Sequence, residues 1–204
     1  VYNLYAVWTF KVVFHKCAGS DEIVEQVHKR DNERNLLLID RDIGWSVLGA
    51  TFKGWAVAED GDVRYADGFD SDKITRRTSE IHLYAVWGYN VVFHKNDGSG
   101  VTTNQSHTLG RELRLSKISD DLKWRNIGHA FVGWATTPNG AKVYDDGEIV
   151  VDILSSSGVV NLYAIWNRTE YVVQFHKNYG VEGDGDIFAQ TNALDEVVGL
   201  PLTI

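Results

Sequence analysis

The sequence predicts an α+β chain made of tandem small domains, each with four to five strands and one short helix. Three observations predict it. A motif returns at a fixed step, each copy carries short apolar runs of β-branched and aromatic residues, and each copy holds one capped, helix-like segment. Leu4-Tyr5-Ala6-Val7-Trp8 recurs as Leu83-Tyr84-Ala85-Val86-Trp87 and as Leu162-Tyr163-Ala164-Ile165-Trp166, both times after 79 residues. Laid on each other without a gap, 9–87 and 88–166 share 28 identities in 79 positions. Self-similarity at a fixed period marks a repeat architecture. The chain therefore divides into a closing strand of a preceding repeat (1–8), unit 1 (9–87), unit 2 (88–166) and an incomplete unit 3 (167–204). Unit 3 opens three residues late, because Asn167-Arg168-Thr169-Glu170-Tyr171 lengthens its junction.

Within a unit the elements can be read in order. Val91-Val92-Phe93 and Leu83 to Trp87 are apolar on both faces, as suits central strands. After Val-Val-Phe-His-Lys comes a turn at Asn96-Asp97-Gly98-Ser99-Gly100, then the alternating run Val101 to Thr108, which reads as an edge strand. Ser119 to Gly128 reads as a short helix with Ser119 as N-cap, acids in its first turn and Gly128 as its left-handed stop. In unit 1 the same roles fall to Asp40 and Gly49. Phe131-Val132-Gly133-Trp134-Ala135 reads as a strand, followed by a turn at Pro138-Asn139-Gly140 and a second at Asp146-Gly147.

Composition narrows the function. With 44% hydrophobic and 24% charged residues, the chain has the make-up of a folded domain. Twenty Lys and Arg against 28 Asp and Glu leave a net charge of −8, without the basic footprint of a nucleic-acid or anionic-membrane binder. No run reaches the ~18–20 apolar residues of a transmembrane helix, so no membrane insertion is expected from this segment. The lone Cys17 excludes an intramolecular disulfide framework. The absence of Met and the start at Val1 imply a slice of a longer or processed chain.

The repeated residues resemble the Listeria–Bacteroides repeat, also called the internalin B-repeat. That family opens on a Val-x-Phe strand with an Asn/Gly turn, continues with an aromatic-x-Gly-Trp strand and closes on Leu-Tyr-Ala-x-Trp. Phe93 with Asn96-Asp97-Gly98, Phe131-Val132-Gly133-Trp134 and Leu162 to Trp166 match that order. His94-Lys95 and Cys17-Ala18 depart from it. The resemblance implies a β-grasp-like fold in an elongated array. It implies a non-catalytic stalk, spacer or adhesion segment of a secreted or cell-wall-anchored bacterial surface protein. Its partners would be neighbouring repeats and a host or bacterial surface protein or glycan, with no cofactor.

The seven Trp all fall on repeat positions and read as core anchors, since a small unit buries little surface and each Trp covers roughly 150–250 Å². Should an aromatic contact a ligand, Tyr65 and Tyr144 beside the Asp-Gly turns are the candidates, and with them a carbohydrate- or protein-binding module is the alternative function. His15, His94, His176, His28 and His107 read as packed or surface histidines, because no Cys or Glu recurs beside them at ligand spacing. Cys17 reads as a surface thiol, its place being taken by Asn96 and Asn178 in the other units. The acidic turns Glu59 to Asp62 and Gly183 to Asp186 lack the terminal Glu of a calcium loop. No recurrent nucleophile–base pair is present, so no enzyme is expected.

Overall fold

The placement of glycines and aromatic runs decides the strand order. The computed structural model describes residues 2, 4, 9–29, 35–74, 79–176 and 187–194. Eleven strands are described: β1 Thr9–Cys17, β2 Ser20–Lys29, β3 Thr51–Ala56, β4 Glu80–His94, β5 Thr102–Thr108, β6 Glu112–Arg114, β7 His129–Ala135, β8 Ile149–Val151, β9 Val159–Arg168, β10 Glu170–His176 and β11 Ile187–Ala193. Contacts group them into two compact units. One comprises Val1–Val92, Asn104–Leu113 and Ile149–Val160, the other Phe93–Thr103, Arg114–Glu148 and Asn161–Ile204.

In the first compact unit, β1 and β2 form an antiparallel hairpin closed at Ala18-Gly19, both with positive φ, so the right-handed strand twist continues through the turn. β4 lies parallel to β1, with Val13 opposite His82 and Phe14 opposite Leu83. β3 lies antiparallel to β4, with a bulge between Phe52 and Gly54. The core gathers Phe10, Val12, Phe14, Leu36, Ile39, Trp45, Trp55, Leu83 and Trp87. In the second, β7 and β9 repeat the β3–β4 arrangement, including a bulge between Phe131 and Gly133.

The closing motif Leu83 to Trp87 and the next opening run Val91 to Phe93 belong to one strand, β4, fifteen residues long. Gly88 makes this possible. A Cβ there would collide with the carbonyl oxygen of His107 on β5 and lie 2.9 Å from Lys53 Cε, so only glycine lets β5 lie against β4 at that point. At the next junction Asn167 occupies the equivalent place, and the strand is interrupted at Thr169. There the Thr169 N–H donates to Gly128 O at 2.8 Å, and β10 and β11 pair as a separate two-stranded sheet.

The fold class departs from the α+β, β-grasp-like expectation. Among the described residues the chain is nearly all β, and no helix there reaches seven residues. Where unit 1 was expected to carry a helix from Asp40 to Gly49, a single π-turn spans Ile39–Ile43, with Gly44 left-handed at φ 75°. The Ser119–Gly128 segment is a bare turn, and Lys123, at the Gly44 position, has φ 56°. Neither expected cap works as one. Asp42 Oδ2 accepts the N–H of Leu38 at 3.0 Å, and Asp121 Oδ2 accepts that of Lys117 at 2.8 Å. A carboxylate offering this local alternative competes with helix propagation, and the left-handed residue after one turn ends it. The turn instead delivers Trp45 and Trp124 towards the core tryptophans, 6.5 Å from Trp55 and 6.4 Å from Trp134 between ring centroids.

Candidate functional site

The repeat builds a side-chain circuit that appears twice with the same partners. Phe14 and Phe52 lie 4.7 and 4.8 Å from Trp55, and Phe93 and Phe131 lie 4.8 and 5.0 Å from Trp134. Trp55 and Trp134 are fully buried, and Trp87 and Trp45 nearly so. Trp124 and Trp166 are half-buried, and Trp8 lies outside the described residues. The core reading holds for Trp45, Trp55, Trp87 and Trp134. The closing tryptophans also tie each unit to its own opening strand: Trp87 Nε1–H donates to Lys16 O at 2.8 Å and Trp166 Nε1–H to Lys95 O at 2.6 Å.

Tyr65 and Tyr144 sit at a corner made by the bulge glycines. Gly54 and Gly133 have φ of 140° and 150°, and a Cβ on either would lie 2.7 Å from the carbonyl oxygen of Tyr65 or Tyr144. The freed space lets the tyrosine backbone bridge the following tryptophan. Trp55 N–H donates to Tyr65 O at 2.8 Å and Trp134 N–H to Tyr144 O at 2.8 Å. Tyr65 packs its ring 5.0 Å from Phe69 against the core. Tyr144 is half-buried, and burial, with the nearby charge of Glu148, pushes its hydroxyl pKa up. Tyr65 thus covers the core with part of its ring, and both tyrosines are only partly open to solvent. The Asp-Gly turns beside them are anchored: Asp67 accepts the N–H of Ile39 at 3.0 Å and Asp146 that of Ile118 at 2.8 Å.

The histidines divide into buried and paired. His28 stacks on Phe10 at 4.6 Å with Ser71 Oγ 3.2 Å from its Nδ1. His107 meets Tyr89 edge-on at 4.9 Å, and its Nε2 lies 3.7 Å from Asp152 Oδ1. His15 stacks on Tyr84 at 4.5 Å and His94 on Tyr163 at 4.3 Å. Each then faces a residue from the closing strand, His82 for His15 and Asn161 for His94. Recurrence does not flag His82, because its counterpart is Asn161. The side chain of His176 lies outside the described residues.

A cavity of about 420 Å³ opens beside Cys17, between Glu59, Asp60, Trp87, Arg111 and Asp152. Cys17 is half-buried rather than at the surface, and burial, with the charge of Glu59, raises its thiol pKa. That is the environment of an unreactive thiol. Arg111 closes one side by donating to Asp62 Oδ1 at 2.8 Å and to the carbonyls of Asp60 and Gly61 at 2.8 and 2.7 Å. The Glu59–Asp62 turn therefore serves as a dock for arginine. The other acidic turn, 183–186, lies outside the described residues.

The Listeria-Bacteroides repeat domain matches this chain twice, over residues 10–86 and 89–165. Two proteins of Evansella cellulosilytica are similar to it. One, named "Putative Gly-rich membrane protein", is 27% identical over 187 residues, 88% of this chain and 20% of its own length. The other, named "Putative membrane protein", is 31% identical over 135 residues, 65% of this chain and 18% of its own length. The chain thus spans about a fifth of the length of these relatives.

Proposed function

Because the chain belongs to the Listeria-Bacteroides repeat domain family, we propose that it is a non-enzymatic tandem-repeat segment of a secreted or cell-wall-anchored bacterial surface protein. Its work is to space and support other parts of that protein, and to contribute to adhesion. The observation that carries the reading is β4. β4 carries the closing motif of unit 1 (Leu83 to Trp87) and the opening run of unit 2 (Val91 to Phe93) within fifteen consecutive strand residues. Nearest-neighbour repeats joined in this way suit a load-bearing spacer. The recurrent contacts also support a structural task, because the residues that recur build ring packing and backbone anchors. The similarity to proteins named as membrane proteins supports an envelope location. Among the described residues no helix is long and apolar enough to cross a membrane. On this reading, attachment belongs to other parts of a longer protein.

Spin labels placed on β1 and on β7 test the spacer role by pulsed electron-electron distance measurement. A narrow distance distribution is expected across the β4 junction. A broad distribution, as from a freely jointed linker, would overturn the proposal.

A further inference from the structure

The parallel pairing of β1 with β4 brings together two histidines 67 residues apart. His15 Nε2 lies 2.8 Å from His82 Nδ1. The ring of His15 is stacked on Tyr84 with an interplanar angle of 13°, which restrains its plane. His82 is oriented from its other side, where Nε2 lies 3.0 Å from Glu80 Oε1. Glu80 is itself held by Lys11 Nζ, 2.8 Å from Oε2. A carboxylate accepting from Nε2–H keeps the proton on that nitrogen and leaves the Nδ1 lone pair directed at His15. This carboxylate–histidine pairing is the support that metal-bound imidazoles use.

We propose that His15 and His82 form a two-histidine site for a transition-metal ion such as Zn²⁺ or Cu²⁺, with Glu80 as the positioning carboxylate. Imidazole nitrogen suits these ions, with Cu²⁺ held more tightly than Zn²⁺. Metal–nitrogen bonds of about 2.0–2.1 Å at a tetrahedral angle place two ligand nitrogens about 3.3 Å apart. The observed separation is shorter, so the His82 ring, 45% exposed, must shift outward to admit the ion. On binding, the His15 proton moves to Nδ1, so that both facing nitrogens present lone pairs to the ion. Among the described residues no cluster of three or more His, Cys, Asp or Glu side chains converges. The proposed site takes these two protein ligands, with water in the remaining positions.

The second unit supplies an internal control. His94 occupies the same stacked seat on Tyr163, and its Nε2 faces Asn161 Oδ1 at 2.9 Å. A neutral amide oxygen is a poor ligand for these ions. Val159 stands where Glu80 stands in the first unit. The site is thus peculiar to one of two otherwise matching positions.

Titration calorimetry of the full chain with Zn²⁺ alone and Cu²⁺ alone tests the site. The chain is expected to show a saturable site that H82N weakens at least tenfold. H82N installs the residue that the second unit already uses, and circular dichroism checks its fold. E80Q keeps both ligands and is expected to weaken binding ~10–100-fold, the usual effect of losing an orienting partner. N161H is expected to add a second, weaker site at His94. With Cu²⁺, electron paramagnetic resonance should show coupling to two nitrogens, reduced in H82N. Absence of binding by the unaltered chain, or equal binding by H82N, would overturn the proposal.

Discussion

Trp87 and Lys16 are 71 residues apart, and the indole N–H of one donates to the backbone carbonyl of the other at 2.8 Å. Trp166 and Lys95 repeat the bond at 2.6 Å. This contact adds a side-chain tie between the closing motif and the end of the opening strand, and it explains why that motif ends on Trp rather than on another large apolar residue. Phe or Leu would fill the space without holding the turn that follows β1.

W87F should therefore destabilise the chain although the replacement is large and aromatic. Loss of the bond costs about 1–3 kcal/mol where the partner stays buried. W87A should cost about 3–5 kcal/mol, the cavity being added. Urea unfolding followed by circular dichroism measures both. A W87F midpoint equal to that of the unaltered chain would show that the ring alone matters.

Asp67 and Asp146 provide a second test, because they carry the anchoring role that the sequence assigns to a helix cap. D67A leaves the N–H of Ile39, which is 2% exposed, without its carboxylate. A cost of about 1–3 kcal/mol is expected. S119A and D40A remove the expected caps, both exposed, and should change stability by less than ~0.5 kcal/mol. Loss of ~1 kcal/mol in S119A would restore a capped helix, since that is what a working N-cap contributes.

The comparison shows what repetition reveals and what it hides. Identities between the two units fall on the circuit itself: Gly54 and Gly133, Trp55 and Trp134, Asp42 and Asp121, Asp67 and Asp146. Strands were legible because aromatic and β-branched runs are local signals. The helix misreading arose because Asp42 and Asp121 look like first-turn acids. Only their distance to Leu38 and Lys117 shows that they fold back on the chain. The sequence places the stops at Gly49 and Gly128, whereas the backbone already turns left-handed at Gly44 and Lys123. His82 and Gly88 stayed hidden for the opposite reason. Each matters in one unit, and a search for recurrence passes over what does not recur. Tyr65 and Tyr144 were correctly seen as equivalent, yet their corner depends on the missing Cβ of the bulge glycines.

Gly88 separates the two junctions, and exchanging its side chain should exchange their behaviour. G88A places a methyl group against His107 O and Lys53. Overpacking at so tight a contact costs about 1–3 kcal/mol. G88N mimics Asn167 and should part β5 from β4. Hydrogen exchange reads this directly, through faster exchange of the Leu109 N–H, which donates to Trp87 O at 2.9 Å. Unchanged protection of that amide in G88N would mean that the inserted residues at 167–171, and not the side chain, interrupt the strand.

Stability should fall with pH in two separate windows. His107 is 3% exposed, and burial lowers its pKa below the usual 6.5, opposed by the charge of Asp152. The folded chain therefore favours the neutral ring. Its contribution is complete above about pH 6.5, the value of an unperturbed histidine, and declines as the unfolded chain takes up the proton more readily. Asp97 acts in the lower window. Hydrogen bonds from Lys95 and then Ser99 hold its carboxyl at about 2 instead of 3.8. That contribution is complete above about pH 4 and is lost as pH falls towards 2. Urea midpoints measured from pH 8 to pH 2 should show H107Q flattening the change between pH 7 and 5 while leaving the acid limb in place. D97N should do the reverse. If H107Q keeps the unaltered slope between pH 7 and 5, the folded and unfolded rings bind the proton alike, and the charge of Asp152 cancels the effect of burial.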